Sequence, residues 1–212
     1  QSTREIMEAA ALGAEERKFE SIWVVDHIAS PPDDAEGSGG RYIDILTSLA
    51  WLAGITTKIK LGSGVLIVPY RSLLPSAKQI ASIQELSGNR LLLGIGLGWM
   101  EAEFKALGVK RKDRGKITDE FLTFMNRAFN QDQMELNGQK FLFKPRPLKP
   151  PLYIAGSKDY SIKRAVRYGD GWIPIAREPE DIKESLEEYK KLCESYNKPS
   201  DRISVVSWIN PK

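Results

Sequence analysis

An α/β protein built on a parallel sheet is predicted by two features of the sequence. Six short apolar runs of strand length, at residues 21–27, 59–68, 91–97, 152–156, 171–175 and 203–209, alternate with amphipathic stripes of helix length. Several of those runs are apolar on consecutive residues, as a strand covered on both faces requires. Alternation of this kind fits either an open, doubly wound sheet or a closed (β/α)-barrel.

The elements follow in order. SIWVVDH at 21–27 is the first strand, and it ends on Asp26 and His27, the one histidine of the chain. PPDDAEGSGGR at 31–41 has the composition of a mobile loop over one mouth of the sheet. Ile45, Leu46, Leu49, Leu52 and Ala53 make an apolar stripe, with Gly54 as its stop signal. IKLGSGVLIV at 59–68 is the next strand. Leu74, Ala77, Ile80, Ala81 and Ile83 form the second stripe, closed by Ser87-Gly88-Asn89, and LLLGIGL at 91–97 is the third strand. Ile117, Phe121, Phe124, Met125 and Ala128 make the third stripe. Residues 131–151 show no helical stripe and are rich in proline and lysine, so they read as an insertion loop. Within it, Met134-Glu135-Leu136 and Lys140-Phe141-Leu142-Phe143 suit a small hairpin about Asn137-Gly138. LYIAG at 152–156 returns to the sheet. The stripe Ile162, Ala165 and Val166, ending at Gly169, leads to GWIPI at 171–175. Ile182, Leu186, Tyr189, Leu192 and Cys193 form the last stripe, which sets Cys193 against a core, before ISVVSWI at 203–209. No repeat and no domain boundary appears, so residues 1–212 read as a single domain.

Bulk composition narrows the function. Hydrophobic residues at 42% and charged residues at 28% describe a globular domain. The formal charge is +3, from 31 basic and 28 acidic side chains, too weak a field to imply nucleic acid. The densest basic run, Lys110 to Arg114, is broken by Asp113 and reads as a solvated loop. One cysteine allows no internal disulfide, and one histidine with one cysteine offers no zinc or iron–sulfur cluster, which points to a reducing cytoplasm. No apolar stretch approaches the roughly 20 residues that span a bilayer, and no signal-peptide pattern opens the chain, so no membrane role is expected.

In parallel α/β proteins the ligand lies at the carboxyl ends of the strands. Those ends are Asp26-His27, Ser63-Gly64, Gly96-Leu97-Gly98, Gly156-Ser157 and Gly171-Trp172. One such glycine is ordinarily a bend. Recurrence at successive ends also lets a large flat ligand and its phosphate approach the backbone. Gly156-Ser157-Lys158-Asp159, opening into a helix, is the phosphate candidate, because the first N–H groups of a helix lack internal partners and its dipole favours an anion. Ser157 serves equally as an N-cap. Imidazole titrates near neutral pH, so His27 can take or give a proton. A Rossmann reading of Gly94-Ile95-Gly96-Leu97-Gly98 fails, since the third glycine comes one residue early and no acidic strand end follows about 20 residues on.

Taken together, FESIWVVDHI, the segment from IKLGSGVLIVPYRS through SGNRLLLGIGLGWMEAEFKALGV, RGKITDEFLTFM, PPLYIAGS and RYGDGWIP resemble, in that order, the bacterial luciferase-like family of flavin- and F420-dependent oxidoreductases. The resemblance implies a TIM barrel, a (β/α)8 fold, whose carboxyl mouth binds coenzyme F420, with FMN as the alternative. The strand ending Asp-His and the SGNRL turn are similar to the F420-dependent branch. On that resemblance His27 sits at the deazaflavin ring as proton donor and acceptor, and Asp26 holds the cofactor or orients the histidine. Ser63, Gly64 and Val65 match a non-prolyl cis-peptide bulge that backs the ring. Gly96 and Gly98 match the loop along the cofactor side chain, and Ala155, Gly156, Ser157, Gly171 and Trp172 match its phosphate end.

The activity implied is hydride transfer between F420 and a small organic substrate. An FMN-dependent monooxygenase and a flavin-binding relative without catalysis are the rival readings, and a homodimer is expected. Trp51 and Trp99 suit a dimer contact or the core. Two departures from the family stand out. Related sugar-phosphate dehydrogenases carry a glutamate acid/base where this chain has Trp99, with Glu101 and Glu103 nearby, so their substrate is not carried over. Against the roughly 250 residues typical of the fold, the first strand and the last have no equivalent here.

Overall fold

The computed structural model describes residues 3–34, 38–156, 159–175 and 179–201. Its elements run α1 (Arg4–Glu16), β1 (Ser21–Val24), α2 (Ile45–Ile55), β2 (Lys60–Ser63), β3 (Leu66–Ile67), α3 (Leu73–Leu86), β4 (Leu91–Gly96), α4 (Glu101–Ala106), α5 (Arg114–Ala128), β5 (Gln133–Leu136), β6 (Gln139–Leu142), β7 (Leu152–Ala155), α6 (Asp159–Tyr168), β8 (Gly171–Ile173) and α7 (Lys183–Ser195). The strand expected at 203–209 lies outside the described residues.

The main strands are all parallel and stand in the order β1-β2-β4-β7-β8. Each successive main strand is added on the same side of the last. A doubly wound sheet would reverse direction at a switch point, so the order selects a barrel wall over the open alternative. Consecutive helices touch one another outside this wall, α1 on α2, α2 on α3, α5 on α6 and α6 on α7. The core between the layers is filled by Ile45, Leu49, Leu61, Leu66, Ile80, Leu91, Leu93, Ile95 and Leu122, each fully buried. In β4, Leu93, Gly94, Ile95 and Gly96 are buried in succession, as a strand covered on both sides must be.

The apolar run 59–68 is not one strand. Leu61 stands opposite Leu91, whereas Leu66 stands opposite Ile95, so one extra residue is accommodated between β2 and β3. That is a bulge, and it contains a cis peptide between Gly64 and Val65. Gly94 makes room for it, since a Cβ there would lie 2.1 Å from the Ser63 carbonyl oxygen. The Ser63 hydroxyl in turn donates to the Gly94 carbonyl at 2.9 Å.

At the opposite end of the strands, the SGNRL turn is a structural staple. The Arg90 guanidinium donates to the carbonyls of Ala53, Thr56, Ile59 and Ser87 and to the Thr56 hydroxyl. Some of these are the carbonyls that the end of α2 leaves without helical partners. Within the excursion 131–151, β5 and β6 pair antiparallel about Asn137 and Gly138, both at positive φ (52° and 76°), as a tight hairpin turn requires.

Among the described residues, no helix is long and apolar enough to cross a membrane. Nor does any group of three or more His, Cys, Asp or Glu residues there have the arrangement to hold a metal ion.

Candidate active site

The carboxyl ends of the parallel strands open on a cleft of about 560 Å³, within the range of roughly 300–1,000 Å³ usual for small-molecule sites. Val65, Ile67, Leu97 and Ile173 give it apolar walls, Tyr42, Trp99 and Tyr160 supply aromatic ones, and Arg111 and Arg114 bring positive charge. A depression of about 610 Å³ lies elsewhere, on the outer flank of α5. It sits away from the strand ends, and its Arg164 is already paired with Asp119 at 2.6 Å.

β1 stops at Val24, so Asp26 and His27 stand on the loop beyond it and both reach the cleft. The His27 side chain is 21% exposed. Its ring lies 4.7 Å from that of Tyr42 and meets Trp99 edge-on at 6.5 Å. Nδ1 is 3.1 Å from Glu103 Oε2.

Glu103 belongs to α4, a helix that the hydrophobic pattern does not reveal. Its side chain is 1% exposed, yet all of its accepting capacity is used. Oε1 accepts from the amides of Ile28 (2.6 Å) and Ala29 (3.0 Å), and Oε2 accepts from the Tyr70 hydroxyl (2.8 Å) as well as meeting the imidazole. Burial alone would raise the Glu103 pKa. The Ala29 and Ile28 amides, the Tyr70 hydroxyl and the nearby His27 outweigh that and hold it below the ordinary carboxylate range. Burial and the Glu103 carboxylate push the Tyr70 phenol well up, so Tyr70 stays a protonated donor. Neither residue was among the sequence candidates for the site. Only the acidic first turn of α4 and the Gly108 stop after it, at φ 67°, hint at that helix locally.

Asp26 has a different partner from the one expected of an orienting residue. Its carboxylate is gripped bidentately by Arg71 (2.6 and 2.8 Å) and also accepts from the Ile67 amide (2.9 Å). Arg71 reaches on to Asp44 at 2.7 Å, the residue that N-caps α2. Asp26 thus ties the histidine loop to β3 and α2, while Glu103 is the carboxylate in contact with the ring.

Eight of the twelve sequence-derived candidates line one cleft: Asp26, His27, Gly64, Val65, Gly96, Gly98, Ala155 and Gly156. A Cβ on Gly96 would meet Val65 Cγ2 at 2.5 Å, so that glycine seats the bulge residue against the sheet. Gly156 has φ 129°, and a Cβ there would meet the Ser161 hydroxyl at 2.3 Å, which brings bare backbone to the cleft beside the start of α6. Ser157 lies outside the described residues. Ser63, Gly171 and Trp172 do not line the cleft, a correction to their expected place. Ser63 is turned into the sheet, and Trp172 is fully buried, stacked on Tyr189 at 5.2 Å while its indole N–H donates to the Gly156 carbonyl. Trp172 therefore supports the Gly156 turn from behind. Trp51 packs against the core, whereas Trp99, 65% exposed, belongs to the cleft rim.

An unsatisfied donor is also present. Arg111 Nε is buried without a hydrogen-bond partner among the described residues, and that side chain borders the cleft. Buried polar atoms are nearly always paired, so an unpaired guanidinium N–H here is a place for an anionic or carbonyl oxygen of a bound molecule. The residues present therefore fit a flat, anionic cofactor, with apolar side chains for a ring, bare backbone at Gly64 and Gly156, and two arginines for negative charge.

Comparison with known proteins agrees with the geometry. An uncharacterised protein of Mycobacterium tuberculosis is 29% identical over 216 residues, covering 93% of this chain and 75% of that one. The 5,10-methylenetetrahydromethanopterin reductase of Methanolobus tindarius is 25% identical, covering 92% and 57%. Among solved structures, the monooxygenase RslO1 from Streptomyces bottropensis superposes with a TM-score of 0.80 at 23% identity, covering 95% of this chain and 63% of that chain. The oxygenating constituent of 3,6-diketocamphane monooxygenase from Pseudomonas putida, in complex with FMN, gives 0.79 at 16%, covering 97% and 62%. An F420-dependent secondary alcohol dehydrogenase in complex with an F420-acetone adduct gives 0.78 at 18%, covering 97% and 64%. The chain thus spans under two thirds of the length of these solved relatives. The luciferase-like monooxygenase family model matches residues 1–210, and with the strand order and the cleft already described, the chain belongs to the luciferase-like family of oxidoreductases and monooxygenases and has its TIM-barrel fold.

Proposed function

We propose that this protein is an F420-dependent oxidoreductase that moves a hydride between the deazaflavin and a small organic alcohol or carbonyl compound, with His27 handling the proton. The observation that carries the reading is one imidazole at the strand-end cleft, held by a buried carboxylate through one ring nitrogen and, among the described residues, without a hydrogen-bond partner on the other.

The residues that would hold the cofactor are Gly64, Val65, Gly96 and Gly98 along the ring and side chain, Ala155 and Gly156 at the phosphate end, and Arg111 and Arg114 for negative charge. When bound, F420 supplies the hydride-transfer chemistry. The chain's own residues do the rest. Val65, Ile67 and Ile173 exclude water from the reacting face, and Trp99 and Tyr42 confine the substrate beside the imidazole. His27 Nε2 takes the hydroxyl proton when an alcohol is oxidised, or an Nε2-bound proton passes to the carbonyl oxygen in reduction.

His27→Ala is expected to leave F420 affinity within a few-fold and to lower kcat by about 10²- to 10⁴-fold, the usual contribution of a positioned acid/base. Steady-state turnover with an alcohol and ketone panel measures this, and unchanged kcat would remove His27 from the reaction. The likeness to FMN-bound 3,6-diketocamphane monooxygenase supports a second reading, an FMN-dependent monooxygenase in the same cleft. Oxygen uptake with reduced FMN, absent with F420, would favour it.

A further inference from the structure

We infer that Glu103 is the positioning residue of this site, fixing His27 as the tautomer with its proton on Nδ1, so that Nε2 meets the substrate as a lone pair. The inference rests on the functional reading above for its consequence in turnover, but not for its geometry.

An ionised carboxylate only accepts hydrogen bonds. Two of the groups around Glu103, the amides of Ile28 and Ala29, can only donate, and together they occupy Oε1. Tyr70 donates to Oε2, which leaves that oxygen one further direction, toward Nδ1. For the 3.1 Å contact to be a hydrogen bond, Nδ1 must carry the proton. A neutral ring protonated on Nε2 would set its Nδ1 lone pair against a buried carboxylate. Protonation of Glu103 is opposed by the donors already aimed at it.

The other charges in the neighbourhood do not compete for the ring. Asp26 is taken by Arg71 and the Ile67 amide, while Arg111 pairs with Glu101 at 3.6 Å. Because Glu103 holds Ile28 and Ala29 as well as the ring, one side chain fixes both the tautomer and the loop that carries it. Positioning of this kind leaves cofactor binding alone and acts on turnover.

The single histidine makes the test direct, since protein labelled with ¹⁵N-histidine gives the signals of one imidazole. The wild-type spectrum at a pH where the ring is neutral should show a protonated Nδ1 and a lone-pair Nε2. Glu103→Gln replaces an acceptor with an amide that can donate to Nδ1, and should shift the population toward the Nε2-protonated form. The same variant should lower kcat by about 10- to 100-fold while F420 affinity stays within a few-fold. An Nε2-protonated ring in wild type, or a tautomer that Glu103→Gln leaves unchanged, would overturn the inference. The wild-type spectrum decides even where the variant fails to fold. A correct tautomer with no turnover under F420 would sink the functional reading and leave this one standing.

Discussion

Two carboxylates flank the sole histidine, and they have different tasks. Glu103 faces the ring, while Asp26 faces Arg71, whose guanidinium also bridges to Asp44 at the start of α2. Burial pushes the Asp26 carboxyl up, and the Arg71 guanidinium pulls against it. Burial would also lower Arg71, but Asp26 and Asp44 win and raise it, so the guanidinium keeps its charge. Removing it would strand a buried carboxylate. Arg71→Ala is therefore expected to destabilise the fold by about 3–5 kcal/mol, read as a lower urea midpoint; a loss under about 1 kcal/mol would mean the bridge is solvated. The candidacy of His27 was legible because the strand that precedes it is plain in SIWVV and the ligand end of a parallel strand is known in advance. The partner of His27 was not. Glu103 lies 76 residues further on, and no local periodicity couples a loop after one strand to a helix after another.

At the scale of elements, one side chain of α1 makes a hydrogen-bonded tie to the sheet. Glu15 accepts from the successive amides of Ile59, Lys58 and Thr57 at the entry to β2. The Ile59 and Lys58 amides are the largest causes that take its pKa down from 4.5 to about 2, and they outweigh the opposing effect of burial. A depressed carboxyl contributes stability that is complete above pH 4.5 and is lost as the pH falls from there through about 2. Glu15→Gln should lower Tm at neutral pH and flatten the fall in Tm across that acid window; parallel wild-type and variant curves would contradict the assignment. The hairpin about Asn137-Gly138 was readable because two successive residues at positive φ demand that pair. The break between β2 and β3 was not readable from apolarity alone, because every residue from Leu61 to Ile67 except Ser63 is apolar or glycine and the bulge leaves no polar gap. α1 was missed for a related reason. Its apolar face gives the core one buried residue, Ala11, with Ala14 partly buried beside it, so its stripe is faint.

For the whole molecule, alternation of apolar runs and stripes left two architectures open, and the order of the strands decided between them. Strand order is a property of pairing between distant segments, and composition carries no trace of it. The glycines at the strand ends were legible as a group but not in their individual tasks. Gly64 and Gly156 border the cleft, Gly96 seats Val65, and Gly171 opens β8 at the end of the strand away from the cleft. In the proposed function coenzyme and imidazole meet in one cleft, and the lone histidine can report on that encounter. Titration of ¹⁵N-histidine-labelled protein with F420, beside a matched titration with FMN, tests it most directly. The predicted result is a saturable change in the imidazole signals, with F420 binding tighter than FMN by at least about tenfold, or 1.4 kcal/mol. Saturation with F420 that leaves the imidazole signals unmoved, or tighter binding of FMN, would contradict it.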